Sequence, residues 1–186
     1  MLTPAAPTVT LTRLQSGIGA LDIGVLRAKE VGDLRLGCAY QLGDGQSSTV
    51  QETGDSASVE GNSAIPVIVK RGGRHDRIRL DLRQCRRLVR LIIYAYSERD
   101  LELRWGGVLW VSTFGGSRIE LPLDAEPSRG VRVALSIYRV GGEFVLRNEL
   151  ETVEGSIRDA CRAFGFDGIT WIDGRTPVGD RTRARR

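Results

Sequence analysis

"DLRLGCAYQLGDG", Asp33 to Gly45, decides the fold. Leu34, Leu36, Cys38, Tyr40 and Leu42 alternate with Asp33, Arg35, Gly37, Ala39 and Gln41. A period of two puts the apolar set on one face, as in a strand laid on a core. Gly43-Asp44-Gly45 follows, and both residue types tolerate the positive φ of a tight turn. "STVQE" (48–52) is then expected to fold back as a hairpin partner.

The same alternation extends outward in both directions. Upstream, Val9 to Leu14 reads as a first strand, and "ALDIGVLRA" (20–28) sets Leu21, Ile23 and Val25 on one face. Downstream, a polar surface loop (53–64) leads to the apolar "IPVIVK" (65–70). In "RIRLDL" (77–82), Ile78, Leu80 and Leu82 alternate with Arg77, Arg79 and Asp81. "LVRLIIYAY" (88–96) is almost continuously apolar and predicts a central strand buried on both faces. Two hairpins follow, at 106–123 and at 131–151, the second turning at Gly141-Gly142.

Only the late segment changes period. Val153, Ile157, Ala160, Cys161 and Phe164 form a helical stripe, and Gly165 stands where a C-cap glycine belongs. "GITWI" (168–172) suggests a last short strand. About nine strands and one late α-helix predict an all-β, two-sheet β-sandwich. One domain is expected over 9–173, with a flexible segment at 1–8 and a disordered arginine-rich tail at 174–186.

Charge narrows the function. The net charge is +4, and all 27 basic residues except Lys29 and Lys70 are arginine. Setting aside Arg181, Arg183, Arg185, Arg186 and Asp180 leaves a nearly neutral body, which speaks against a general nucleic-acid binder. The three cysteines (Cys38, Cys85, Cys161) lie far apart beside apolar residues and read as buried free thiols, suited to a reducing cytoplasm. No apolar run approaches the ~20 residues of a membrane span.

Catalytic motifs are missing. The single histidine, His75, excludes a two-histidine metal site, and no nucleophile elbow, P-loop or dinucleotide fingerprint is present. No catalytic residue is assigned, and the chain reads as a non-enzyme. Calcium needs about six to eight oxygens from carboxylates and loop carbonyls. Asp33, Asp44, Asp55, Glu60 and Asp76 are the loop acids on offer.

"KRGGRHDRIRLDL" (70–82) poses the sharper question. It is either a basic binding loop or an acidic loop whose acids have been replaced. Arg77 and Arg79 belong to the outer face of a strand. Arg71, Arg74 and His75 do not follow that alternation. With Arg83, Arg86, Arg87 and Arg90 they form a run dense enough for nucleic acid or an anionic surface, but no aromatic lies between Lys70 and Leu91.

In order along the chain, "GDLRLGCAYQLGDG", "TVQETGD", "RIRLDL", "RRLVRLIIYAY", "IYRVGGEFVLRNELE" and "IRDACRAFGF" resemble the TerD family of bacterial tellurium-resistance and stress-response proteins. The likeness is greatest to its TerA-type branch and runs from residue 8 to residue 172. It implies a calcium-binding, non-catalytic β-sandwich. It also implies a cytoplasmic protein working beside other tellurium-resistance proteins, peripheral to the inner membrane face in a membrane-associated complex. In that family calcium sits on a D-x-D strand start and an acidic loop before an I-x-I/L-D-L strand.

Here Asp33 keeps the first acid, but Arg35 stands at the second. "GGRHD" (72–76) replaces the acidic loop: Asp76 keeps its last acid, and Arg74 and His75 displace the pair before it. Asp81 keeps the strand aspartate. Two cations in place of carboxylates should weaken Ca2+ binding by on the order of several kcal/mol. Arg74 could instead pair with Asp33 or Asp76, a guanidinium filling the place of the ion. The resemblance thus implies a scaffold or sensor component with a degenerate calcium site. Two alternatives stand: a working calcium module built on Asp33, Asp76 and loop carbonyls, and an arginine face using Arg71, Arg74 and Arg77.

Overall fold

The structure, a computed structural model, describes residues 1–27, 31–51, 67–70, 77–83 and 85–178. Its strands are β1 (Thr8–Thr10), β2 (Ala20–Arg27), β3 (Leu34–Leu42), β4 (Ser47–Val50), β5 (Val67–Lys70), β6 (Arg77–Asp81), β7 (Leu88–Ser97), β8 (Gly107–Ser112), β9 (Arg118–Pro122), β10 (Val131–Val140) and β11 (Glu143–Val153). Helices are short: α1 (Arg13–Gly17) and α2 (Ile157–Ala163). The strands form two antiparallel sheets, in the orders β1-β11-β10-β7-β3-β4 and β5-β6-β2-β8-β9. The expected all-β sandwich is the fold.

The core lies between the sheets. Leu34, Leu36, Cys38, Tyr40 and Leu42 all enter it, as the alternation in β3 requires, and meet Leu21, Ile23, Ile78, Leu80, Leu109 and Val111 of the other sheet. β7 sits between β10 and β3 and is buried on both faces from Leu91 to Ser97. Its second face carries Ile92, Tyr94 and Tyr96, covered by Ile157, Ala160 and Cys161 of α2 and by Phe166 and Ile169.

A bulge in β10 supplies both layers from one strand. The register shifts between Val133 and Leu135, so Val133 packs under α2 while Leu135 packs between the sheets. One extra residue is enough to reverse the face.

Three boundaries differ from expectation. Val9–Leu14 is not one strand: β1 ends at Thr10 and α1 begins at Arg13. Thr12 caps α1, its hydroxyl accepting from the Gln15 amide while the Gln15 side chain accepts from the Thr12 amide. Residues 1–8 belong to the domain. Leu2 is fully buried, its amide bonds to the Glu120 carbonyl, and Thr8 opens β1. The domain also extends past 173. Trp171 bridges to Pro177, and the Val178 amide reaches the Thr170 carbonyl, so "GITWI" contributes an isolated bridge rather than a strand. The polar loop at 53–64 and the end of the tail from 179 lie outside the described residues.

α2 starts where its sequence signals a cap. Ser156 and Asp159 form a reciprocal capping box, and Val153 is left as the last residue of β11. Gly165 takes a φ of 77°, the left-handed conformation that ends the helix. Arg90 of β7 donates to the Phe164 and Gly165 carbonyls and stacks 4.5 Å from the Phe166 ring. A sheet arginine thus satisfies the carbonyls at the helix end.

Candidate functional site

The sequence places one acid, Asp33, at the start of β3. The fold brings it to the turn that follows β7, because Leu34 pairs with Ser97 and Arg35 with Tyr96. The carboxylate is only 12% exposed. The Ser97 hydroxyl donates to Oδ1 at 2.7 Å. The Arg99 amide donates to Oδ2 at 2.9 Å, and the Arg99 Nε to the same oxygen at 3.2 Å. Ser97 Oγ in turn accepts from the Leu101 amide at 2.8 Å. Asp33 is therefore the organising acceptor of the 97–101 turn.

Its titration follows from those contacts. Burial pushes the carboxyl up, but the Ser97 hydroxyl and the Arg99 amide and guanidinium together pull it further down. The net position is below the usual aspartate value.

Arg35, at the second acidic position of the family strand, points to a different acid. Its Nε and Nη2 contact Glu98 Oε2 at 3.0 and 2.9 Å. Arg175, from the C-terminal segment, donates to the Ser97 and Glu98 carbonyls and lies 3.9 Å from Asp100. Asp100 has a φ of 60°, a left-handed conformation that aspartate tolerates better than most residues. Three guanidinium groups thus surround Asp33, Glu98 and Asp100. Among the described residues, no group of three or more His, Cys, Asp or Glu side chains is placed to hold a metal ion.

Asp76, with Arg71, Arg74 and His75, lies outside the described residues. The guanidinium seen against Asp33 is that of Arg99, which no motif along the chain singles out. Asp81 closes its own turn, accepting from the Arg83 amide at 3.0 Å and pairing with the Arg83 guanidinium at 3.2 Å. Asp44 accepts from the Gln46 amide and pairs with Arg87; those contacts, the backbone bond first, set its carboxyl below the usual value.

A hollow of ≈ 670 Å³ opens beside the Asp33 turn. Asp100, Arg175, Arg129, Glu154, Thr152 and Ser156 are among the residues that line it. Behind Thr152, the buried Arg132 donates to its hydroxyl at 2.8 Å and stacks 5.3 Å from Trp105. The lining carries both signs of charge.

Arg77 and Arg79 are exposed on β6, as alternation requires. What alternation did not show is the aromatic between arginines. Trp110 of β8 packs against Gly24 of β2, so close that a Cβ there would stand 2.5 Å from the indole. Arg77 and Arg118 lie 5.1 and 5.4 Å from its ring. Strand pairing brings these residues together from β6, β2, β8 and β9. Only outward parity of Gly24 and Trp110 hinted at it.

The cysteines are buried and free. Burial raises the thiols of Cys38 and Cys85 to about 12 and that of Cys161 further still, so all three stay protonated at neutral pH. No helix among the described residues is long and apolar enough to cross a membrane.

Comparison of the chain with family models, with curated proteins and with solved structures found no match.

Proposed function

We propose that this chain is a non-enzymatic, TerD/TerA-like component of a bacterial tellurite or stress response, acting as a scaffold or sensor whose calcium site is degenerate. One observation carries the calcium part: the Asp33 carboxylate already accepts three hydrogen bonds from Ser97 and Arg99. A divalent ion would have to displace those donors and approach past Arg35 and Arg175 as well. The order of the sequence motifs and the sandwich architecture support the TerD-like part. Cytoplasmic residence, and work beside other tellurium-resistance proteins in a membrane-associated complex, follow from that resemblance. Calorimetric titration of the full chain with CaCl2 should give no heat of binding at micromolar calcium. Saturable micromolar binding would instead establish the calcium-module alternative.

Arg77 supports a second function. It stacks on Trp110, beside Arg118 on the same indole, and two guanidinium groups over one aromatic suit an anionic polymer. Single-stranded nucleic acid should then bind with steep salt dependence and lose affinity in Arg77→Gln. Salt-insensitive or absent binding removes this alternative.

A further inference from the structure

Arg132 is a nearly buried cation, 8% exposed, that no carboxylate of the described residues pairs with. Its Nη1 donates to the Thr152 hydroxyl at 2.8 Å, its guanidinium lies 5.3 Å from the Trp105 ring, and its Nε has no partner among the described residues. A neutral hydroxyl and an indole face offset only part of the cost of burying a full charge. Trp105, 7% exposed, makes a matching contact: its indole N–H donates to the Ser128 hydroxyl at 2.6 Å.

Ser128 and Thr152 both line the hollow of ≈ 670 Å³ beside the Asp33 turn. A hydroxyl has one proton to donate and lone pairs to accept with. Each of these two accepts from a nearly buried donor, and neither donates to another described residue. Two hydroxyl protons are left without an acceptor, next to a cation without an anion. One group meets both needs, an oxyanion.

We propose that this hollow binds a small organic molecule through an oxyanion group, a carboxylate or a phosphate. Ser128 and Thr152 donate to the group, and Arg132 behind Thr152 supplies the compensating charge. Arg129, exposed at the rim and with no carboxylate partner among the described residues, is the second cation. Arg175 is already bonded to the Ser97 and Glu98 carbonyls and adds charge alone. Pro127, Val131 and Ile157 give the hollow an apolar wall, which an organic body covers and an inorganic ion leaves unused. Its volume lies within the range of about 300–1,000 Å³ usual for small-molecule sites. Asp100 and Glu154, also in the lining and exposed, repel a polyanion, so the site favours a small molecule over a nucleic-acid strand.

Two-dimensional NMR of the 15N-labelled full chain tests this, run in EDTA so that calcium plays no part. The three tryptophans give three indole N–H signals, and Trp105→Phe and Trp110→Phe identify two of them. The Trp105 signal reports on Ser128. Succinate and glycerol 3-phosphate are the probes, with sodium chloride at matched ionic strength as the reference. One or both should move the Trp105 signal saturably while that of Trp110, on the other sheet, stays in place. A response to one probe alone names the head group. Arg129→Gln and Thr152→Val should each weaken binding about tenfold, the loss of one strong hydrogen bond. Arg13→Gln, at an 85%-exposed cation of α1, should bind like the parent. The proposal is overturned if neither probe moves the Trp105 signal, if chloride moves it equally, or if Arg129→Gln binds as the parent does. Because Arg129 is exposed, its variant keeps the test intact even where Thr152→Val fails to fold.

Discussion

The two ends of this sandwich treat charge and apolar surface in opposite ways. At the Asp33 end, carboxylates and guanidiniums are paired side by side, and the nearly buried Asp33 is held by Ser97 and Arg99. At the α1 end, large apolar side chains stand in solvent, and Arg139 donates to the Cys85 carbonyl and has no carboxylate partner among the described residues. The first end stores stability in polar contacts. The second leaves its large apolar side chains outside the core, where they should contribute little to stability. The same scaffold permits both, because the turns at the strand ends are loosely constrained by the core.

The largest effect should come from removing the acid at the first end. Asp33→Ala deletes the acceptor of three hydrogen bonds, two of them from Arg99, and leaves the buried Ser97 hydroxyl without one of its partners. Urea unfolding should show a loss of about 2–3 kcal/mol, as for hydrogen bonds to a charged group. A loss too small to resolve would mean that the turn does not depend on Asp33.

Acid should reproduce part of that loss. The Asp33 carboxyl titrates lower in the folded chain than its ordinary value. Its stabilisation is therefore complete above the unfolded value and disappears as pH falls through the folded one, a window below about pH 4. The parent should lose stability there more steeply than Asp33→Ala. Parallel curves would assign the acid sensitivity to other groups.

Ser97→Ala ranks next. The hydroxyl donates to Asp33 and accepts from the Leu101 amide, so the variant loses two bonds but keeps the Arg99 contacts. About 1–2 kcal/mol is expected by urea unfolding. A double-mutant cycle with Asp33→Ala should be non-additive, since the two residues share one bond. Strict additivity would contradict the contact.

Arg35 marks the transition to weak effects. It pairs with Glu98, which is half exposed, and Arg35→Ala should cost about 0.2–1 kcal/mol in urea unfolding. Its consequence for calcium is the sharper readout. If Arg35 helps to repel the ion, Arg35→Asp should gain measurable calcium heat where the parent gives none. Unchanged calorimetry in that variant would place the obstacle at Arg99 instead.

How much of this was legible follows from how local each signal is. β3, β7 and the β10–β11 hairpin were legible because alternation and the Gly141-Gly142 turn are read within a few residues. α1 was masked: the Thr12–Gln15 capping signal lies under the alternation of Val9–Leu14. The bulge in β10 leaves no local mark, yet it decides which layer Val133 and Leu135 join. For the site, Asp33 was legible, but its partners were not. Arg99 lies 66 positions away and meets Asp33 only because β3 pairs with β7. Trp110 between Arg77 and Arg118 is likewise a product of pairing, invisible to any window along the chain. The exposed apolar patch at the α1 end draws on three segments in the same way, and along the chain Leu14 reads as part of a strand.

That patch gives the smallest expected change in stability, and the smallness is the point. Phe114→Ser removes a side chain that is three-quarters exposed and lies against Gly19. Little apolar area returns to water on unfolding, so the urea midpoint should move by less than about 0.5 kcal/mol equivalent. The same size of change at Asp33 would be a fraction of what its bonds supply. A loss above about 2 kcal/mol at Phe114 would show that the ring is a structural support, closing the end of the sandwich as Arg99 closes the other. A loss within the expected bound leaves Phe114 contributing little to the fold, in contrast to the nearly buried Asp33 at the other end.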